Sequence, residues 1–254
     1  MNRRTFYANA MLTAAASGAF AQRPSPKGST KKGWCGDPKG NPFGAHWYYT
    51  WSPKTRPNKQ VEFVPMIKGA WSLKQAAAIK KMGGISHLLG FNEPEREKQG
   101  NVAVDQAIAL WPQLEAIAKA GNLRLGSPAC SGAKGTAWFR SFMEKAEDRG
   151  LHMDFINVHF YSLNANALEK MVDDLADEYD RPVWVTEFNG WTGDEPANYA
   201  FLKDALKFLE KARHVERYAY YSFGPTQSQK LFGVDKHGKR IMNRMGELYR
   251  DAGT

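Results

Sequence analysis

The sequence predicts an α/β fold, a (β/α)8 TIM barrel with helices missing between its first strands. Three observations carry that reading. Eight short runs rich in Val, Ile, Tyr, Phe and Trp recur along the chain, and helix-like stretches separate most of them. The 254 residues, 43% of them hydrophobic, show no second zone of composition, which suits one barrel-sized body. A doubly wound open sheet is the competing arrangement, but the Gly-rich turn that opens its first helix is not in the sequence.

The runs are Gly33 to Cys35, His46 to Trp51, Val61 to Ile67, His87 to Phe91, Arg124 to Ala129, Phe155 to Tyr161, Val183 to Phe188 and Tyr218 to Phe223. Several lack clean alternation of apolar and polar residues, as strands covered on both faces do. Ser72 to Met82 opens on a capping Ser and stops at Gly83-Gly84, so a helix is expected there. Val104 to Ala120 places apolar residues at helical spacing and ends at Gly121, with Pro112 as a point where it could kink. Thr136 to Arg149, Ala165 to Tyr179, Glu195 to Ala212 and Ile241 to Arg250 repeat the theme, with Asp194 expected as a cap. Gly36 to Ala45 and Ser52 to Gln60 are rich in Gly, Pro and Lys, which removes helices from the start of the barrel.

Residues 1–21 read as an export signal. Arg3-Arg4 precede a mildly apolar, Ala-rich stretch, and Ala19-Phe20-Ala21 offers small residues at a cleavage site. The pattern is twin-arginine-like, so a secreted or periplasmic bacterial protein is expected, with a flexible lead-in over 22–32 and the catalytic barrel over 33–254. The net charge is +9. No basic helix, Cys/His finger or RNA-binding aromatic signature accompanies it, so nucleic acid is not the expected partner. No run of about 18 apolar residues predicts a membrane span. Cys35 and Cys130 are too few for a zinc cluster, and neither a metal nor a cofactor is expected. Export would permit a disulfide, but these residues end strands one and five, on opposite sides of an eight-stranded barrel. A monomer is expected.

In a barrel, chemistry collects where strands end. The fourth strand ends in Asn92-Glu93-Pro94 and the seventh in Thr186-Glu187-Phe188, each carboxylate following an apolar run where an unpaired charge would be costly. A pair of such acids suits glycosidic bond cleavage, in which one must be protonated and the other ionised. Asn92-Glu93-Pro94 with Glu187 resembles the retaining barrel glycosidases of clan A. More closely, the sequence resembles glycoside hydrolase family 128, mostly endo-β-1,3-glucanases. The likeness runs through Trp47 to Trp51, Phe63 to Met66, Leu89 to Pro94, Gly126 to Ala129, Val158 to Tyr161 and Trp184 to Phe188.

The resemblance implies Glu187 as nucleophile, Glu93 as acid/base and Asn92 as the holder of the sugar 2-hydroxyl. It implies that His159 and Tyr161, at i and i+2 on one strand face, line the floor and fix Glu187. Because alternation cannot aim both Asn92 and Glu93 inward, a bulge is expected there. The family carries a Trp on the last strand; here Tyr221 or Phe223 would supply the sugar platform. A polysaccharide, β-1,3-glucan, is thus the expected partner. The alternatives are another β-glycan (β-1,4-glucan or mannan) or a noncatalytic glycan-binding barrel. Among the other aromatics, Trp51 and Trp191, near strand ends, are assigned to the groove, and Trp47, Trp71, Trp111 and Trp184 to the interior. His46 and His87 read as structural.

Overall fold

The computed structural model describes residues 28–55, 58 and 60–254. The export signal expected over 1–21 and most of the lead-in lie outside the described residues. The chain forms an α/β fold. Strands β1 (Gly33–Cys35), β2 (Trp47–Tyr49) and β3 (Glu62–Phe63) make one parallel sheet in that order. β4 (His87–Leu88) pairs in parallel with β5 (Arg124–Leu125). The third sheet runs β6 (Ile156–Tyr161), β7 (Val183–Asn189) and β8 (Val215–Tyr220), again parallel. Isolated parallel bridges carry the pairing from sheet to sheet, at Met66 with Leu89, Gly126 with Phe155, and Lys32 with Tyr218.

Helices α1 (Val104–Gly121), α2 (Gly132–Asp148), α3 (Ala165–Tyr179) and α4 (Glu195–Lys211) follow the strands in the second half, and α5 (Arg244–Asp251) closes the chain. No helix separates β1, β2 and β3 among the described residues. α1 buries Ala107, Ile108, Trp111, Leu114 and Ile117 along one stripe and runs through Pro112. It stops at Asn122, whose left-handed backbone (φ 50°) turns its N–H back onto the last carbonyls. Asn164 and Asp194 cap α3 and α4 through side-chain bonds to Ala167 N and Ala197 N.

Four local expectations are corrected. The segment predicted as a helix from Ser72 is a 3₁₀ helix over Ala70–Lys81. Its buried Ser72 hydroxyl donates to Gly69 O at 2.7 Å and accepts from Gly69 N at 3.3 Å, so it ties the first turn to the N-cap Gly69 from the third helical position instead of being the N-cap itself. Trp71, expected inside, is 51% exposed, because Ser72, Ala76 and Ile79 occupy the core face of that segment. The last parallel strand begins at Val215 and ends at Tyr220, which leaves Tyr221 and Phe223 in the loop beyond it. The final helix loses its expected start to an antiparallel hairpin, β9 (Phe232–Val234) with β10 (Arg240–Met242), and begins only after Asn243 caps Gly246 N.

The end of the segment read as a lead-in is tied to the fold. Lys31 Nζ donates to Leu209 O, Glu210 O and Ala212 O, and Lys32 Nζ to Tyr249 O, Arg250 O and Ala252 O. Each ammonium therefore satisfies the orphan carbonyls at one helix C-terminus, of α4 and α5 respectively, where the helix dipole also favours a cation. Burial pulls the Lys32 ammonium down to about 8, although Glu210 and Asp251 oppose that.

Two apolar bodies result. The larger lies between strands and helices. The smaller is enclosed by the strands and contains Cys35, Trp47, Tyr49, Val64, Met66, Leu89, Phe155, Trp184 and Ala219. Trp184 stacks on Phe155 at 4.2 Å, and the Arg217 guanidinium lies over Trp184 at 4.5 Å. Arg217 and His87 both pair with Glu62, at 2.7 and 3.1 Å, so His87 is structural, as expected. This aromatic plug fills the strands' N-terminal side and leaves their C-terminal ends open.

Candidate active site

The C-terminal ends carry the predicted carboxylates. β7 is buried along its whole length. Val158 pairs with Val185 but His159 pairs with Glu187, so Thr186 is an extra residue on β7. The bulge expected beside Asn92 is therefore on β7, where it brings Glu187 level with His159. At Asn92 and Glu93 the chain solves the same problem differently. Asn92 N donates to Lys68 O, Glu93 N donates to Ala129 O, and Glu93 takes a left-handed backbone, φ 42°. Trp51 (φ 51°) and Trp191 (φ 56°) share that sparsely populated region. Non-glycine residues held there mark sites where side-chain direction outweighs backbone preference.

Glu187 Oε1 accepts from Trp51 Nε1 at 2.8 Å and Tyr49 O–H at 3.1 Å, and its Oε2 accepts from Tyr161 O–H. Burial first, and the Glu187 charge next, push the Tyr161 phenol upward, so it stays protonated and donates. On the other acid, Glu93 Oε1 accepts from Ser131 Oγ at 2.7 Å and faces His159 Nδ1 at 3.2 Å. The His159 Nε2 lies 3.6 Å from Glu187 Oε1. One carboxylate oxygen from each glutamate and a ring nitrogen of His159 all lie within 4.8 Å of one another.

His159 is thus a fully buried imidazole wedged between two carboxylates. Burial alone would lower it, but Glu187 and then Glu93 outweigh that and raise it. For Glu93 the largest influence is also burial, which raises it. The His159 and Ser131 hydrogen bonds and the Arg96 charge win, and hold the carboxyl down at about 2. The two influences point the same way, favouring a proton on His159 over one on Glu93.

The cleft above these groups encloses about 620 Å³ and has two unlike halves. Around Glu187 it is aromatic: Trp51, Tyr161, Trp191, Tyr221 and Phe223 line it. Tyr221 contacts Tyr161, Trp51 and Trp191 with centroids 5.9 to 6.1 Å apart, and Phe223 packs on Tyr221 and Trp51. Both last-strand candidates therefore reach the cleft. Around Glu93 it is polar, lined by Lys68, Asn92, Arg96 and Gln99. Asn92 Oδ1 is buried without a hydrogen-bond partner among the described residues, an acceptor left for a ligand hydroxyl.

Every sequence-predicted site residue lies in this cleft or, for His159, directly beneath it. Two neighbours were not foreseen. Ser131 bonds Glu93, and Glu95, whose side chain is 4% exposed, accepts from Ser131 N at 2.9 Å and fixes the start of α2. The second carboxylate of Asn92-Glu93-Pro94-Glu95 and a Ser preceding the helix were the available signals. Cys35 and Cys130 are both free thiols.

Residues 26–249 match the glycosyl hydrolase catalytic core family. Fold, paired acids and match together define a glycoside hydrolase. Among solved structures the chain is similar to a subgroup I endo-β-1,3-glucanase of glycoside hydrolase family 128 from Amycolatopsis mediterranei, seen as a glutamate-to-alanine variant with laminaripentaose. The identity is 31% and the TM-score 0.74, over 89% of this chain and all of that one. A subgroup II endo-β-1,3-glucanase from Sorangium cellulosum is 27% identical, with a TM-score of 0.74 over 87% of this chain and 98% of the other. A subgroup VI exo-β-1,3-glucanase from Aureobasidium namibiae, at 19% identity and a TM-score of 0.74 over 87% and 96%, shares the fold. The chain belongs to glycoside hydrolase family 128. No curated protein matches the sequence.

Proposed function

We propose that the protein is an exported, retaining endo-β-1,3-glucanase built on a (β/α)8 barrel that lacks its earliest helices. The barrel reading is supported by parallel bridges that link the three parallel sheets in chain order and join Lys32 to Tyr218. The observation that carries the activity is the pair of buried glutamates with oxygens within 4.8 Å, opening into one cleft. Retaining enzymes keep their carboxyls about 5–5.5 Å apart, whereas inverting ones leave about 6.5 Å or more for a water. The laminarioligosaccharides bound to the Amycolatopsis enzyme support the substrate class.

In this reading a glucosyl unit sits over Glu187, with its 2-hydroxyl on Asn92 and its apolar faces on Tyr221 and the neighbouring rings. Tyr49, Trp51 and Tyr161 aim the Glu187 carboxylate at the anomeric carbon. As Glu187 forms the covalent bond its negative charge disappears, and with it the main influence that keeps the proton on His159. The proton then passes from Nδ1 to Glu93 Oε1 and on to the departing glycosidic oxygen. In the second half, water attacks the glycosyl-enzyme while Glu93 accepts its proton and His159 recovers it. Glu187 leaves as the carboxylate, and the anomeric configuration is retained.

Incubation with laminarin, β-1,4-glucan and mannan, followed by sizing of products and NMR of the newborn anomer, tests the proposal. Laminarin should yield short oligosaccharides of mixed length with the β-anomer formed first. Release of no reducing ends from laminarin overturns it. For export, the expected product is a periplasmic or secreted chain that begins at Gln22, read by N-terminal sequencing.

A further inference from the structure

The polar half of the cleft borders on a tight backbone contact. Lys68 and Gln99 line that half from two different loops, one leaving β3 and one following Glu93. These loops meet backbone to backbone. A Cβ on Gly69 would fall 2.5 Å from Gly100 O, and one on Gly100 would fall 2.5 Å from Asn92 O and 3.0 Å from Lys68 O. Only glycine fits at either place, and Asn92 N donates to Lys68 O at 3.0 Å across the same seam. The seam fixes the two loops relative to each other and to Glu93.

Trp71 lies on this seam. The place where a Gly69 Cβ would sit is 3.0 Å from its indole Nε1 and 3.2 Å from its Cδ1, so the ring edge rests on the glycine backbone. The indole is nevertheless 51% exposed. A large aromatic surface kept in water and held against the Gly69 backbone, three residues along the chain from Lys68, is an uncovered apolar face in a fixed place. The Lys68 ammonium has no hydrogen bond or ion pair among the described residues. Together they combine a flat apolar ring with polar donors, which is the chemistry that recognises a pyranose: C–H face on the ring, hydroxyls on the ammonium and the Gln99 amide.

We infer that Trp71, with Lys68 and Gln99, forms a distal glucosyl subsite at the Glu93 end of the cleft, engaged only by chains long enough to reach past the catalytic pair. This rests on the β-1,3-glucanase reading. The preorganised seam means that the subsite needs little ordering when the chain arrives.

The test compares kcat/KM for laminarihexaose and laminaritriose in the wild type, Trp71→Ala and Trp71→Phe. Trp71→Ala should suffer about a ten-fold larger loss on the hexaose than on the triose, the scale of one lost aromatic contact. Trp71→Phe, which keeps a flat ring, should recover most of it. Equal losses on both lengths, or no loss on the hexaose, overturn the subsite while leaving the glucanase reading intact. A wild type that cleaves neither oligosaccharide and releases no reducing ends from laminarin refutes the glucanase reading and the subsite with it; one that cleaves laminarin alone overturns the subsite only.

Discussion

Replacing Glu187 by Gln mimics the loss of charge that accompanies glycosylation, so it should release the proton held on His159. The distance sets the size of the effect. Two unit charges 3.6 Å apart, at an effective dielectric of ~20, interact by about 4–5 kcal/mol. Losing that attraction weakens proton binding to His159. Glu93, still 3.2 Å from Nδ1, keeps part of the attraction, while burial, which disfavours the imidazolium, is unchanged. The assay is a pH titration of labelled histidine by NMR, with His159→Gln identifying the resonance among the six histidines of the chain. In the wild type His159 should remain protonated above the ordinary histidine range, and in Glu187→Gln it should lose its proton far lower. The sign extends to stability. A histidine raised in the folded state stabilises it fully below pH ~6.5, and that contribution fades as pH climbs through the raised value. If His159 titrates at the same pH in both proteins, Glu187 does not hold its proton and the proposed relay is wrong.

Further tests bear on single groups. Glu187→Ala should abolish turnover of laminarin, and azide should restore part of it as the α-glycosyl azide, identified by NMR. Glu93→Gln should lose most activity on laminarin yet retain it on aryl glycosides whose leaving groups need no proton. A Brønsted plot as flat as the wild type's would show that Glu93 is not the acid. Tyr161→Phe removes a donor to Glu187 Oε2; at about 1.5–3 kcal/mol for a bond to a charged group, kcat should fall roughly ten- to a hundred-fold. Gly100→Ala would drive a methyl group into the Asn92 carbonyl. It should cost about 1–3 kcal/mol in denaturant unfolding, and an unchanged midpoint would mean that the seam yields freely.

The parts of the molecule that obey short-range rules could be read from the chain. Apolar runs of Val, Ile, Phe and Tyr located all eight parallel segments. The 3.6-residue stripe and the capping Asp194 located α1 and α4. Glu93 and Glu187 stood out because a carboxylate at the end of an apolar run has no local partner. What the sequence left open depends on groups far apart in it. Whether His159 carries a proton is decided by Glu93, 66 residues away, and Glu187, 28 away. Ser131 entered the site because α2 starts earlier than its periodicity suggested. The bulge moved from Asn92 to Thr186 because register is a property of two strands. Trp71 turned outward because Ser72, Ala76 and Ile79 had already filled the core face of its segment. Residue type and periodicity thus fixed which groups were present and roughly where along each strand they stood. Only tertiary packing could decide which of them share a proton and which face water, because charge interactions and burial depend on distance through space and not along the chain.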